Sequence, residues 1–143
     1  MPDIYHTFPI PARRVDVFLA ISTPKGLNAW WTLTANGWPE AGTTYDLGFG
    51  PSHQWKGKVI GYVPDAALEW ELTVADEDWK GTRVGFLLSD SELGTQVEFY
   101  HRGWAESNDH YRISTFCWAM YLRLLRKYVE TGKIVPYAER LDA

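Results

Sequence analysis

Four histidines, His6, His53, His101 and His110, and one cysteine, Cys117, are the residues whose types would carry metal or proton chemistry. No histidine stands at a chelating spacing such as His-x-x-x-His, and Cys117 has no ligand partner near it in sequence. Neither a metal nor a cofactor is therefore expected. His101 follows Val97 and Phe99 at every second position and shares their apolar face. An inward imidazole could orient a ligand or act as general acid or base. The plainer reading, a strand-end histidine bonded to backbone or water, weighs more, which leaves His101 a weak catalytic candidate. Ser107, Asp109 and His110 have the residue types of a triad, but neighbours in sequence rarely point at one another. They read better as a helix start, where Ser107, Asn108 and Asp109 satisfy free amides. Cys117 reads as a small hydrophobe on the inner stripe of that helix.

Eight tryptophans and 15% aromatic residues are the unusual feature of the composition. Rings of this size close a core or wall a pocket, and composition leaves both open. Trp55, Trp70, Phe86 and Phe99 are expected on the inward face of a sheet, opposite Phe116 and Met120 of a helix. These six, with Tyr45 and His101 for a polar contact, form the candidate ligand-binding set; Tyr100 is a further polar candidate. Trp30, Trp31 and Trp104 fall at element ends and are expected to form a rim, which could equally be a dimer surface.

The elements that must position these residues follow from periodicity. Residues 3–9 alternate, with Ile4, His6 and Phe8 on one side, and Pro9 and Pro11 are expected to end this strand. Pro11 is then expected to open a helix over 12–21 with Val15, Phe18, Leu19 and Ile21 on its inner face. Thr23-Pro24 starts a second short helix ending near Trp30-Trp31. Residues 32–43 read as irregular. Alternating strands follow at 44–49, 53–63, 67–74, 82–89 and 95–102, joined by short turns, as in an antiparallel meander with one apolar face. Gly57 and Gly61 are placed to let the sheet curl. From 109 to 131, Ile113, Phe116, Cys117, Met120, Leu124 and Tyr128 recur at helical spacing, with Asn108 or Ser107 as cap and Gly132 as stop. A one-sided sheet needs a cover, and this helix supplies it. The expectation is an α+β domain over 1–143: a curved antiparallel sheet of six to seven strands around a long C-terminal helix, with two short helices after strand one.

Composition narrows the function classes. The net charge of −4 and pI near 5.5 give no electrostatic reason to bind nucleic acid. The basic cluster Arg123, Arg126 and Lys127 sits where cations suit a helix C-terminus. No apolar run approaches the roughly 20 residues of a membrane span. The first residues show neither a basic n-region nor an apolar h-region, and with one cysteine the expected location is the cytoplasm.

The order of elements resembles the START-like, or SRPBCC, superfamily, which shares the helix-grip fold with Bet v allergens. Three stretches carry a closer likeness to the branch named after the activator of heat-shock protein 90 ATPase. Pro11-Ala12-Arg13-Arg14-Val15-Asp16-Val17-Phe18 through Trp30-Trp31 is similar to its first helix pair. Pro39-Glu40-Ala41-Gly42-Thr43-Thr44-Tyr45 is similar to its Pro-x-x-Gly-Gly strand entry, with Thr43 in place of the second glycine. Trp118-Ala119-Met120-Tyr121-Leu122 through Leu125, Tyr128 and Glu130-Thr131-Gly132 is similar to its C-terminal helix ending. The resemblance implies a hydrophobic cavity and roles that range over lipid or hormone carriage, polyketide cyclisation and co-chaperone work. It ties the last to an additional N-terminal domain that the 143 residues do not include.

The expected function is binding of a small hydrophobic ligand, lipid-like or aromatic, between sheet and helix, by a monomer or homodimer. Two alternatives stay open: a cofactor-free cyclase or hydrolase using the same cavity, and a protein-interaction or co-chaperone-like module.

Overall fold

The computed structural model describes residues 2–142; Met1 and Ala143, the ends of the expected 1–143 domain, lie outside the described residues. Seven strands form one antiparallel sheet: β1 Ile4–Ile10, β2 Thr34–Asn36, β3 Thr44–Gly48, β4 Gln54–Val63, β5 Ala67–Val74, β6 Arg83–Ser91 and β7 Gly94–Arg102. The spatial order is β1-β7-β6-β5-β4-β3-β2, so consecutive strands from β2 to β7 are neighbours and β1 closes the far side against β7. Helices α1 (Arg14–Ser22) and α2 (Pro24–Trp30) follow β1, and α3 (Asp109–Thr131) follows β7. A 3-10 turn over Tyr137–Asp142 ends the described chain. This is the helix-grip architecture. Among the described residues no helix is long and apolar enough to cross a membrane.

Local chemistry sets most of the boundaries. Thr23 caps α2 by accepting from the Gly26 amide, with Pro24 next to it. Asn108 caps α3 through the Tyr111 amide, and Gly132 ends it in the left-handed region at φ 76°. Two irregularities interrupt β4, at Lys56/Gly57 and at Val59/Gly61, and bend the sheet. Gly57 also lets Trp70 lie against the β4 backbone, since a Cβ there would stand 3.2 Å from that of Trp70.

Several expectations are corrected. β1 runs through Pro9 to Ile10, because it is an edge strand and Pro9 has no second neighbour asking for its missing amide. Helix α1 starts at Arg14 rather than at Pro11, and its inner face is Val17, Phe18, Ala20 and Ile21, with Val15 and Leu19 exposed. A short strand, β2, occupies part of the stretch read as irregular. Trp30, Trp31 and Trp104 are buried in the core instead of forming a rim.

The largest correction is the face that α3 presents. Ser114, Trp118, Leu122, Leu124 and Leu125 are buried, whereas Ile113 is 60% and Phe116 is 78% exposed. Phe116 therefore points away from the sheet, and Met120 is only half-buried. The helix carries apolar residues around most of its circumference, so spacing alone offered more than one stripe. The residue that fills the concave side of the sheet is Trp118, whose indole also finds a hydrogen-bond partner there.

Candidate functional site

The space between α3 and the sheet is filled. Tyr45, Trp70, Phe86, Phe99 and His101 are all at most 1% exposed. Phe99 meets Trp118 at a ring distance of 4.5 Å and Phe86 at 5.2 Å, and Tyr45 stands edge-on to Trp70 at 5.4 Å. The Tyr45 hydroxyl is spent on the Ser22 carbonyl at 2.6 Å. Of the candidate set, only Trp55 and Met120 are half-buried and Phe116 is exposed.

His101 is inward, as its alternation implies, but neither ring nitrogen is available. The Trp118 indole donates to Nδ1 at 3.1 Å, so in the neutral ring the proton is on Nε2. Nε2 then donates to Thr82 Oγ1 at 2.7 Å, and Thr82 in turn donates to the Trp79 carbonyl. Burial, with a smaller contribution from nearby His110, pushes this imidazole from 6.5 down to about 3. His101 is thus a neutral tether between Trp118 and the segment carrying Trp79. Its partners are side chains, where a bond to backbone or water was expected.

What remains open is a pocket of about 160 Å³ at the mouth of the helix–sheet cleft. Its aromatic walls are Trp31, Trp79, Trp118 and Tyr121; His110, Ile113, Ser114 and Cys117 line it from α3. Trp79 and Trp118 stack with rings 5.6 Å apart at 21°, and Trp31 packs on Trp118 at 5.2 Å. The Trp79 indole donates to Ser114 Oγ at 3.2 Å. The walls are therefore held to one another, to α3 and to His101 by hydrogen bonds as well as by stacking.

Trp79 lies on the β5–β6 connection, where the Trp79 and Lys80 amides both donate to the Asp76 carbonyl and Gly81 turns the chain at φ 83°. The same connection supplies Asp78, whose Oδ2 lies 2.9 Å from His110 Nδ1 and whose Oδ1 accepts a longer bond from Asn108 at 3.4 Å. Cys117 is half-buried, and burial pushes its thiol above its ordinary value, which favours the unreactive protonated form. Among the described residues no group of three or more histidine, cysteine, aspartate or glutamate side chains could hold a metal.

Sequence reasoning named neither Trp79, Asp78 nor Ser114 as site residues, and it put Trp31 on a rim. The available signal was a tryptophan flanked by Asp78 and Gly81 in a turn, an odd place for a large apolar ring. A second, more polar groove of about 500 Å³ lies between the α1–α2 corner and the end of α3, lined by Leu19, Ala20, Tyr128 and Val129 together with Asp16, Thr23 and Lys25. Tyr128 is its one aromatic lining residue, against four in the mouth pocket apart from His110.

Comparison with known proteins gives a consistent picture. Residues 11–130 match the family described as Activator of Hsp90 ATPase homolog 1-like protein. The solution structure of the Aha1 dimer from Colwellia psychrerythraea is 30% identical, with a TM-score of 0.84 over 93% of this chain and 99% of that one. A crystal structure from Staphylococcus saprophyticus is similar at 18% identity, TM-score 0.79, over 94% of this chain and 96% of that one. A solution structure from Bacillus halodurans is similar at 24% identity, TM-score 0.77, covering 91% and 98%. The last two likenesses concern the fold alone. No curated protein matches the sequence.

Proposed function

We propose, from the premise that this chain belongs to the family of activator of Hsp90 ATPase homolog 1-like proteins, that it acts as a single cytoplasmic domain binding a small apolar ligand at the mouth of its helix–sheet cleft. One observation carries this reading: a pocket open to solvent whose walls are three indoles, Trp31, Trp79 and Trp118, held in place by hydrogen bonds of Trp79 and Trp118 and by ring contacts with one another. Preorganised walls lower the ordering cost of binding. The volume of about 160 Å³ is close to that of a cavity that accepts one benzene ring. The ligand therefore inserts a ring or a short apolar end, and any remainder lies outside along Ile113 and Tyr121. Burying about 150 Å² of ring surface at about 25 cal/mol per Å² gives about 4 kcal/mol, an affinity of order millimolar for the ring alone. The test is a titration with toluene followed by NMR of the indole N–H groups. Saturable shifts of Trp79 and Trp118 that disappear in Cys117→Phe, whose added ring occupies the pocket, support the reading. No shift at saturating toluene overturns it.

A second reading concerns a second copy of the chain. Ile113 and Phe116 expose large apolar side chains one turn apart on α3, beside half-buried Met120. The 30% identical protein from Colwellia psychrerythraea is described as a dimer. We infer that this stripe is where two copies meet. Sedimentation that gives a dimer for the wild type and a monomer for Phe116→Asp supports this; a wild-type monomer at high micromolar concentration rejects it.

A further inference from the structure

The apolar pocket has one polar end, and its two groups are complementary. His110 and Ser114 lie one turn apart on α3 and both line the pocket. The His110 ring is held on several sides. Asp78 Oδ2 accepts from its Nδ1 at 2.9 Å, Trp79 stacks on it at 6.5 Å and 27°, and Trp104 meets it edge-on at 5.7 Å. With Nδ1–H given to Asp78, the neutral ring presents Nε2 as an acceptor, and among the described residues Nε2 has no partner.

Ser114 is the converse case. Its oxygen accepts from the Trp79 indole at 3.2 Å, and the residue is 4% exposed. Helical serines and threonines commonly give their proton to the carbonyl one turn earlier, as Thr131 does to Lys127 at 2.7 Å. Ser114 makes no such bond among the described residues, so its proton has no acceptor in the protein. An apolar-walled pocket open to solvent thus offers one acceptor and one donor that have no partner among the described residues, on the same helix face.

A hydroxyl group is the smallest substituent that is both donor and acceptor. We infer that the pocket is selective for a phenol: the ring sits among the indoles, the hydroxyl donates to His110 Nε2, and its oxygen accepts from Ser114. Asp78 acts through His110 as a positioning residue. The inference rests on the apolar-pocket reading above and specifies the ligand class that this site takes.

The sign of one comparison tests it. Relative to toluene, p-cresol carries a hydroxyl that water solvates well, so a pocket without polar partners prefers toluene. Here p-cresol should bind roughly threefold to tenfold more tightly than toluene, the range that one or two net hydrogen bonds give. His110→Asn keeps an amide donor for Asp78 while deleting the Nε2 acceptor, and Ser114→Ala deletes the donor. Each variant should lose the preference for p-cresol, read as the ratio of p-cresol to toluene affinity within the same protein; a loosened wall, as when Ser114→Ala frees the Trp79 indole, moves both probes together and leaves that ratio in place. Equal binding of the two probes by the wild type, or a preference that survives both variants, overturns the phenol assignment and leaves the apolar pocket standing. Binding of neither probe overturns both.

Discussion

Acid should weaken this protein through one residue, His101, by an amount that can be worked out. In the native state the ring is fully buried, its Nδ1 accepts from Trp118 and its protonation is held off until about pH 3. In the unfolded chain the same imidazole takes a proton near its ordinary value of 6.5. Between these values the unfolded state binds more protons than the native state, so stability falls as pH falls. The contribution is intact above 6.5, declines by about 1.4 kcal/mol per unit below it, and is fully lost near pH 3. At pH 4.5 about 3 kcal/mol should be gone, a large share of the stability of a domain this size. The comparison is with His101→Gln, which does not titrate. At pH 7.5 this variant should be the less stable by about 1–3 kcal/mol, because one buried hydrogen bond of the Trp118–His101–Thr82 chain is broken. Urea denaturation of both proteins at several pH values reads the difference, and the other titrating groups largely cancel in it. The gap should close between pH 7.5 and 4.5 and reach zero or reverse. A gap that stays constant to within about 0.5 kcal/mol over that range would show that His101 does not titrate as its burial demands.

Three other perturbations have defined outcomes. Arg140 is 2% exposed and donates to the carbonyls of Asn28 at 2.7 Å, Thr32 at 3.2 Å and Val135 at 3.0 Å. Arg140→Ala should destabilise by about 2–3 kcal/mol, and Arg140→Lys should not restore the loss, because an ammonium lacks the fork that reaches several carbonyls; urea midpoints decide. On the other side of the sheet, the Tyr100 ring lies over Gly85 with its hydroxyl on Glu69, and a Cβ at Gly85 would clash with that ring. Gly85→Ala should lower stability by about 1–3 kcal/mol, and adding Tyr100→Val should recover part of it; purely additive losses in thermal melts would contradict the clash. Cys117, the sole cysteine, should react with iodoacetamide at pH 7.5 more slowly than a free thiol, since burial pushes its pKa up and leaves less thiolate, and bound toluene should slow it further. Reaction at the free-thiol rate, unaffected by toluene, would remove it from the pocket wall.

The pocket itself follows from how tightly the cleft is closed. A helix-grip fold has room for a large ligand only where the sheet curls away from its helix. Here Trp118, Phe99, Phe86 and Trp70 occupy that room, and the open pocket lies at the mouth. His101 follows the same logic. A histidine bonded on both nitrogens ties Trp118 to Thr82, and through Thr82 to the Trp79 carbonyl. The likeness to the Colwellia psychrerythraea protein covers nearly all of both chains, so it bears on the whole architecture.

The sequence by itself determined six of the seven strands, the caps of α2 and α3 and the order of those elements. Alternation in 67–74 became β5, Thr23-Pro24 opened α2, and Asn108 and Gly132 bounded α3 at the expected residues. These are local properties: they depend on backbone geometry and on a side chain's reach to amides a few residues away. The motif stretches likewise identified the family, because they are packing residues tied to that order. Only the tertiary structure decided which face of α3 turns inward. The helix is apolar on several sides, and the choice fell to Trp118, whose volume fits the concave sheet and whose indole meets His101 across it. Tertiary structure alone also joined Asp78 to His110, 32 residues apart, and set Trp79 against Ser114, 35 residues apart. Such pairings arise when two distant elements dock, and no periodicity within either element encodes where the other will lie.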